Sequence, residues 1–364
     1  MKISMVYLGT TGSGPVYSYE MAKALAVSGR CKLQIIVSEG VKNLTSWESE
    51  FKNKECVDLC VVQTYKHNKL SVILSFFDIK KMYNVVSLIR AFEPDCLYAP
   101  FRIVWSPYIY NALKGKVRII STLHDPHPHD GGGGVLGKIS HYMFDKSLRY
   151  TDDIIILNNK DKNFVTQKFG KPIIVIPHAS FSRCGIPMGN NSGVNNTIGF
   201  FGRIEPYKGL DLLVDAFSQI KTPNLRLLVA GSGRIDDNIK EIIDSNPNII
   251  LINRYIEEDE IPELMNQVDI VVLPYKTATQ SGVIPLSFAY GKPVIATKVG
   301  ALEEQVPHGT GILTKANSLD IAKEIDLLYD DKEKMKEMSI EAKKYAENVL
   351  TWERSASILL DYLG

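Results

Sequence analysis

The chain has 364 residues, with 42 Lys and Arg against 41 Asp and Glu, a net charge of +1, and it is 45% hydrophobic and 23% charged. That composition is globular and long enough for two domains, which excludes a disordered or fibrous chain. Five Cys without a C-x-x-C pair argue for free thiols in a reducing compartment and against a disulfide frame or a structural zinc.

The opening MKISMVYLGTTG is too short in its apolar run for a signal peptide or membrane span and reads as a first buried strand. No segment reaches eighteen uninterrupted apolar residues, so a cytoplasmic location is expected. Any membrane contact would then be peripheral, at the inner face. Residues 1–177 carry 23 Lys and Arg and 15 Asp and Glu, whereas residues 178–364 carry 19 and 26. A basic front half and an acidic back half suit different partners, although charge also drifts between domains without function.

Ile- and Val-rich runs alternate with amphipathic stretches, the pattern of parallel strands covered on both faces. Lys2 to Leu8, Leu33 to Val37, Cys96 to Tyr98, Arg118 to Thr122 and Asp153 to Leu157 read as strands, and Ser18 to Val27 as a helix. After a Gly-, Asn- and Ser-rich boundary at Ser180 to Asn196 the alternation restarts. Strands are expected at Thr197 to Gly202, Leu225 to Ala230, Asn248 to Ile252, Asp269 to Leu273 and Pro293 to Thr297, with a helix at Leu210 to Ile220. From Ser318 onward the chain reads as helical. The fold class is α/β, two Rossmann-like doubly wound parallel-sheet domains facing across a cleft.

Doubly wound sheets bind ligands beyond the carboxyl ends of their strands, so the loops after strands are the candidate chemistry. Gly9 to Tyr17 is a glycine-rich turn into a helix, suited to an anion, but Tyr17 stands where a dinucleotide fingerprint needs a small residue. Leu123 to Asp130, LHDPHPHD, has no metal-ligand spacing and presents His124 nearest the strand end. Gly202 to Gly209, GRIEPYKG, places Arg203 and Lys208 at a strand-to-helix turn, where a fork and a point charge can hold a diphosphate. In Leu273 to Gly291, the residues Ser281, Gly282 and Val283 are expected to open a helix with free N–H groups, a second phosphate cradle. Val299 to Val306, VGALEEQV, reads as a glycine turn into a helix start rich in acids.

The order of these motifs resembles the retaining, nucleotide-sugar-dependent glycosyltransferases of family 4, of GT-B architecture. The resemblance rests on the glycine loop, TLHD at 122–125, VIPHAS at 175–180, FFGRIEPYKGLDLLVDAF, LLVAGSG and PYKTATQSGVIPLSFAYGKPVIATKVGALEEQV. It implies an acceptor-binding domain over 1–179, on which a C-terminal helix at about 350–364 packs back, and a donor-binding domain over 180–349. It also implies that Arg203 and Lys208 bind the donor diphosphate and that His124 lies near the donor sugar. Gly12, Gly14 and Gly202 would line the phosphates, with Tyr255 and Ile256 holding the nucleobase.

The Glu pair, eight positions apart, that such enzymes usually carry before the G-K-P-V strand is missing. TATQSGV stands there, similar to a polysaccharide-assembly subgroup, so Thr279, Gln280, Ser281, Gly282 and Val283 become the expected donor contacts. The implied function is metal-independent, retaining transfer of a sugar from a nucleotide-diphosphate donor to a glycan or lipid-linked acceptor in cell-envelope polysaccharide biosynthesis. No cofactor beyond that co-substrate, no metal and no nucleic acid are expected. A nucleotide-sugar 2-epimerase and a non-catalytic nucleotide-sugar-binding partner are the alternatives.

Overall fold

The structure, a computed structural model, describes residues 1–65, 69–127, 142–180 and 195–364. Two all-parallel sheets organise it. The first contains β1 (Lys2–Tyr7), β2 (Lys32–Ser38), β3 (Val57–Val62), β4 (Cys96–Ala99), β5 (Arg118–Leu123), β6 (Asp153–Ile156) and β7 (Ile173–Val175), in the order β3-β2-β1-β4-β5-β6-β7. The second contains β8 (Thr197–Phe201), β9 (Arg226–Ala230), β10 (Ile249–Ile252), β11 (Ile270–Leu273), β12 (Val294–Thr297) and β13 (Gly311–Thr314), in the order β10-β9-β8-β11-β12-β13. Both orders reverse beside their first strand, between β1 and β4 and between β8 and β11. Those two points are where a doubly wound sheet opens a crevice for a ligand.

Why the strands are apolar along their whole length follows from their two covered faces. In the second sheet Ile270 and Val272 pack into one core with Ile198, Phe200, Leu227 and Val229. Val271 and Leu273 point the other way, into a core with Phe201, Leu228, Val294 and Phe288. A one-residue slip would exchange the two sets of side chains, so burial on both sides fixes the register.

The strands named from sequence agree with the observed ones to within a residue or two at each end. The first helix differs, since it runs from Gly14 to Val27 rather than from Ser18. Pro15 sits in its first turn, where a missing N–H leaves no bond unmade, so the helix starts inside the glycine loop. The C-terminal stretch comprises three helices, Ser318–Asp330, Lys332–Asn348 and Trp352–Leu363.

Two compact units result: Met1–Pro177 with Trp352–Gly364, and His178–Thr351. Within the first unit, the ring of Trp352 lies edge-on to Tyr17 at 4.9 Å. The Tyr362 hydroxyl donates to Asp153 at 2.6 Å, and Arg118 Nε donates to the same buried carboxylate at 2.7 Å. That carboxylate is thereby paired and hydrogen-bonded, the condition for burying a charge. Residues 181–194 of the expected linker lie outside the described residues.

His178 is buried at the start of the second unit, where its Nδ1–H donates to the Ala179 carbonyl at 2.7 Å. Burial pulls its pKa down to about 4, against the opposing effect of that hydrogen bond. Between the ordinary histidine value of about 6.5 and 4, the unfolded chain binds a proton that the folded chain does not. Stability should therefore fall as pH drops through this window, with no contribution above it and a total on the order of 3 kcal/mol. Urea unfolding of the wild type and of His178→Asn at pH 7.5 and 4.5 checks this. The variant should lose less stability between the two pH values, and an unchanged difference would refute the assignment.

Candidate active site

At the β8–β11 switch point, two loops meet. The loop after β8 leads through a short 3-10 turn, Pro206–Lys208, into the helix Leu210–Gln219. The loop after β11 leads to the helix Val283–Ala289. They are joined by the Lys276 N–H, which donates to the Tyr207 carbonyl at 2.7 Å, and by Lys276 Nζ on Asp211 at 2.7 Å.

Lys208 is the centre of this arrangement. Its half-buried ammonium lies 5.3 Å from the centre of the Tyr275 ring. Among the described residues it makes no ion pair, and burial lowers its pKa, with neighbouring Arg203 adding to the effect. Gly202 makes room for it: the backbone there has φ +100°, and a Cβ would stand 2.9 Å from Lys208 Nζ. Any side chain at 202 would displace the charge as well as strain the turn. A desolvated cation at such a point attracts an anion more strongly than a hydrated one would.

Arg203 behaves differently. Its side chain is 73% exposed and lies 3.7 Å from Glu205, so it is an exposed rim charge beside a half-buried one.

The loop after β11 is pinned from behind. Gln305 clasps Ser281 from both sides, with Ser281 N–H donating to Gln305 Oε1 at 2.7 Å and Gln305 Nε2 donating to the Ser281 carbonyl at 3.1 Å. Ser281 Oγ accepts from Val283 N–H at 3.2 Å and lies 3.2 Å from the Tyr275 hydroxyl. The expected cradle of free N–H groups at Ser281, Gly282 and Val283 is therefore corrected, since two of its three donors are engaged internally. Thr279 is buried in this loop. Among the described residues, Gln280 Oε1 is buried without a hydrogen-bond partner, an arrangement that native proteins rarely leave unexplained.

Gly300 lets the supporting segment approach. Its φ is +52°, and a Cβ there would overlap the Ala278 carbonyl oxygen at 1.4 Å. The sequence reading of Val299 to Val306 as a simple helix start missed this role, because Gln305 and Gly300 act on a loop 20 residues away. The one available signal was a glycine and a carboxamide placed just after a strand of the same sheet.

Tyr255 is 53% exposed, and its carbonyl accepts from Arg254 at 3.1 Å. Ile256 packs against the apolar core. The exposed Tyr255 ring presents a flat apolar surface at this position.

In the first unit, His124 follows β5. Its Nε2–H donates to the Pro100 carbonyl at 2.9 Å, its ring stacks on Phe101 at 3.8 Å, and Tyr17 meets it edge-on at 4.8 Å. Gly12 has φ +82°, and Gly14 begins the helix. The Tyr7 hydroxyl packs against the loop, 2.5 Å from where a Cβ of Gly14 would sit. His129 and Asp130 lie outside the described residues.

Sequence reasoning overlooked Arg102, in the loop after β4. Its Nη1 donates to the Phe144 carbonyl at 3.2 Å, with the guanidinium 5.6 Å from the Phe144 ring centre. Burial lowers its pKa.

Two expectations follow. Lys208 should lose its charge at a lower pH than an ordinary lysine, so affinity for inorganic pyrophosphate should decline as pH rises through the range below the ordinary lysine value of about 10.4. Lys208→Arg should abolish the decline, since a guanidinium stays charged; calorimetric titration across that range checks it, and identical profiles would contradict it. Gly300→Ala should destabilise by more than the ~1–2 kcal/mol of left-handed strain alone, because the backbone at Ala278 must also move. Urea unfolding showing a change under about 0.5 kcal/mol would refute the close-approach role.

Comparison with known proteins extends this geometry. Residues 195–331 match the family model described as Glycosyl transferases group 1. An uncharacterized glycosyltransferase of Methanocaldococcus jannaschii is 29% identical over 248 residues, 66% of this chain and 67% of that protein. A D-inositol 3-phosphate glycosyltransferase of Arthrobacter sp. is 30% identical over 172 residues, 44% of this chain and 41% of that protein. Among solved structures, Anabaena HepE in complex with UDP superposes with a TM-score of 0.72 at 19% identity, covering 100% of this chain and 99% of its own. Both sheets are thus of the Rossmann-like type seen in GT-B proteins. Residues 195–331 of this chain are thus similar to the group 1 glycosyl transferases, and the curated relatives compared above are named as glycosyltransferases.

Proposed function

We propose that the protein transfers a sugar, with retention, from a nucleoside-diphosphate sugar to a glycan or lipid-linked acceptor in cell-envelope polysaccharide assembly. The observation that carries this reading is the half-buried Lys208 ammonium over Gly202, at the switch point of the second sheet. Sugar transfer breaks the bond between the anomeric carbon and the diphosphate, so negative charge grows on the departing oxygen. A cation fixed before the reaction stabilises that charge without reorganising. In this reading Lys208 holds the leaving diphosphate and exposed Arg203 closes on it from the rim, so protein cations supply the charge and no metal is required. Tyr255 and the backbone beside it meet the base. In the first unit, His124 is oriented by the Pro100 carbonyl and Phe101 and is proposed there as a sugar-contacting residue.

The first unit also supplies a reason for peripheral membrane contact. Leu74, Phe77, Ile79 and Tyr83 are 59%, 80%, 59% and 57% exposed within ten residues, with exposed Lys80 among them. Apolar side chains beside cations suit an anionic lipid surface, where each Lys adds about 1 kcal/mol. Among the described residues no helix is long and apolar enough to cross a membrane.

Incubation with a panel of uridine and guanosine diphosphate sugars should release the nucleotide from one of them, faster when lipid-linked glycan is added. Lys208→Ala should slow that release by about 10²–10³-fold while leaving the melting temperature within a few degrees, because removing a desolvated cation relieves a burial penalty. Undiminished release would remove the mechanism. Vesicles containing phosphatidylglycerol should sediment the wild type, and Phe77→Glu with Ile79→Glu should abolish it. Equal sedimentation of both proteins would refute the lipid contact.

A further inference from the structure

Resting on the proposed reading, we infer that Gln305 is the positioning residue of the site. Its carboxamide clasp on Ser281 holds the 278–282 loop so that Gln280 Oε1 reads a hydroxyl of the transferred sugar. The clasp is reciprocal, one bond accepted and one donated on the same residue. It does for this loop what a neighbouring strand does for a ladder, satisfying the N–H and C=O of one residue at once. Three further ties act on the same stretch. Thr297 Oγ1 donates to the Tyr275 carbonyl at 2.6 Å, the Tyr275 hydroxyl meets Ser281 Oγ, and Gly300 presses on Ala278.

A loop tied this firmly could turn its polar atoms toward protein partners, yet among the described residues Gln280 Oε1 is buried and has none. Leaving an acceptor desolvated and unpaired costs about 1–3 kcal/mol. A ligand O–H that reaches it recovers that cost and meets no desolvation penalty on the protein side. The charge around it sharpens the choice: Lys208 handles the anionic part of a donor from the neighbouring loop, whereas Thr279, Gln280, Ser281 and Gln305 are all neutral. The loop therefore addresses the uncharged polyol of a donor sugar, and Gln305 acts on sugar recognition through geometry rather than by touching the ligand.

The test separates sugar from nucleotide. Calorimetry with UDP and UDP-glucose, and with GDP and GDP-mannose, identifies the pair that the wild type binds, and gives the ratio of its two dissociation constants. Gln305→Leu should weaken the nucleotide sugar about tenfold, or 1.4 kcal/mol, while changing the affinity for the diphosphate less than twofold. Gln280→Ala should do the same, and the double variant should be no worse than either single one, because both act through one contact. Gln305→Glu, which keeps the acceptor for Ser281 N–H but loses the donor, should fall between wild type and Gln305→Leu. An equal weakening of nucleotide and nucleotide sugar by Gln305→Leu would show a merely structural residue and overturn the inference, as would no change in either. Binding of neither nucleotide by the wild type would instead defeat the proposed function, and this inference with it.

Discussion

A lysine ammonium that is half-buried, unpaired among the described residues and held against a glycine backbone is the constraint around which the second unit is arranged. Taking such a group partly out of water is unfavourable, and the burial that depresses its pKa is the same burial that strengthens its attraction for an anion. The fold supplies the position. Strand β8 must end at a glycine, because the turn needs positive φ and the ammonium needs the space. The 3-10 turn at Pro206–Lys208 then returns the side chain over that glycine before the helix begins. The proposed role of the residue and the cost of burying it have one cause.

The neighbouring loop shows the complementary strategy. Its 278–282 stretch carries no charge, so rigidity there comes from hydrogen bonds made behind it by Thr297 and Gln305 and from the close approach of Gly300 to Ala278. In the proposed function, a cation on one loop and neutral carboxamides and hydroxyls on the next would divide the labour between an anionic leaving group and an uncharged sugar. The neutral polar groups of TATQSGV need close placement to discriminate between ligands.

Much of the architecture was legible in the sequence because it depends on local regularities. Runs such as Arg226–Ala230 and Ile270–Leu273 are apolar on both faces and bounded by turn residues, so their ends could be read to within a residue or two. Strands β3, β7 and β13 escaped notice: Val57–Val62 is interrupted by Asp58 and Cys60 at the sheet edge, and Ile173–Val175 is only three residues long. Arg203 and Lys208 could be identified from their place at a strand-to-helix turn. Their inequality could not, because exposure is decided by Gly202 and Tyr275 together. The clasp by Gln305 was equally hidden, since it joins positions 24 residues apart through side-chain geometry that no periodicity records. Arg102 was missed for a related reason: one cation after a strand carries no pattern until burial distinguishes it.

The most direct measurement is a crystal structure of the protein soaked with the nucleoside diphosphate that it binds. The account predicts the diphosphate within hydrogen-bonding distance of Lys208 Nζ, seated on the turn from Gly202 to Gly209. A diphosphate lodged anywhere else, with Lys208 still bare, would contradict it.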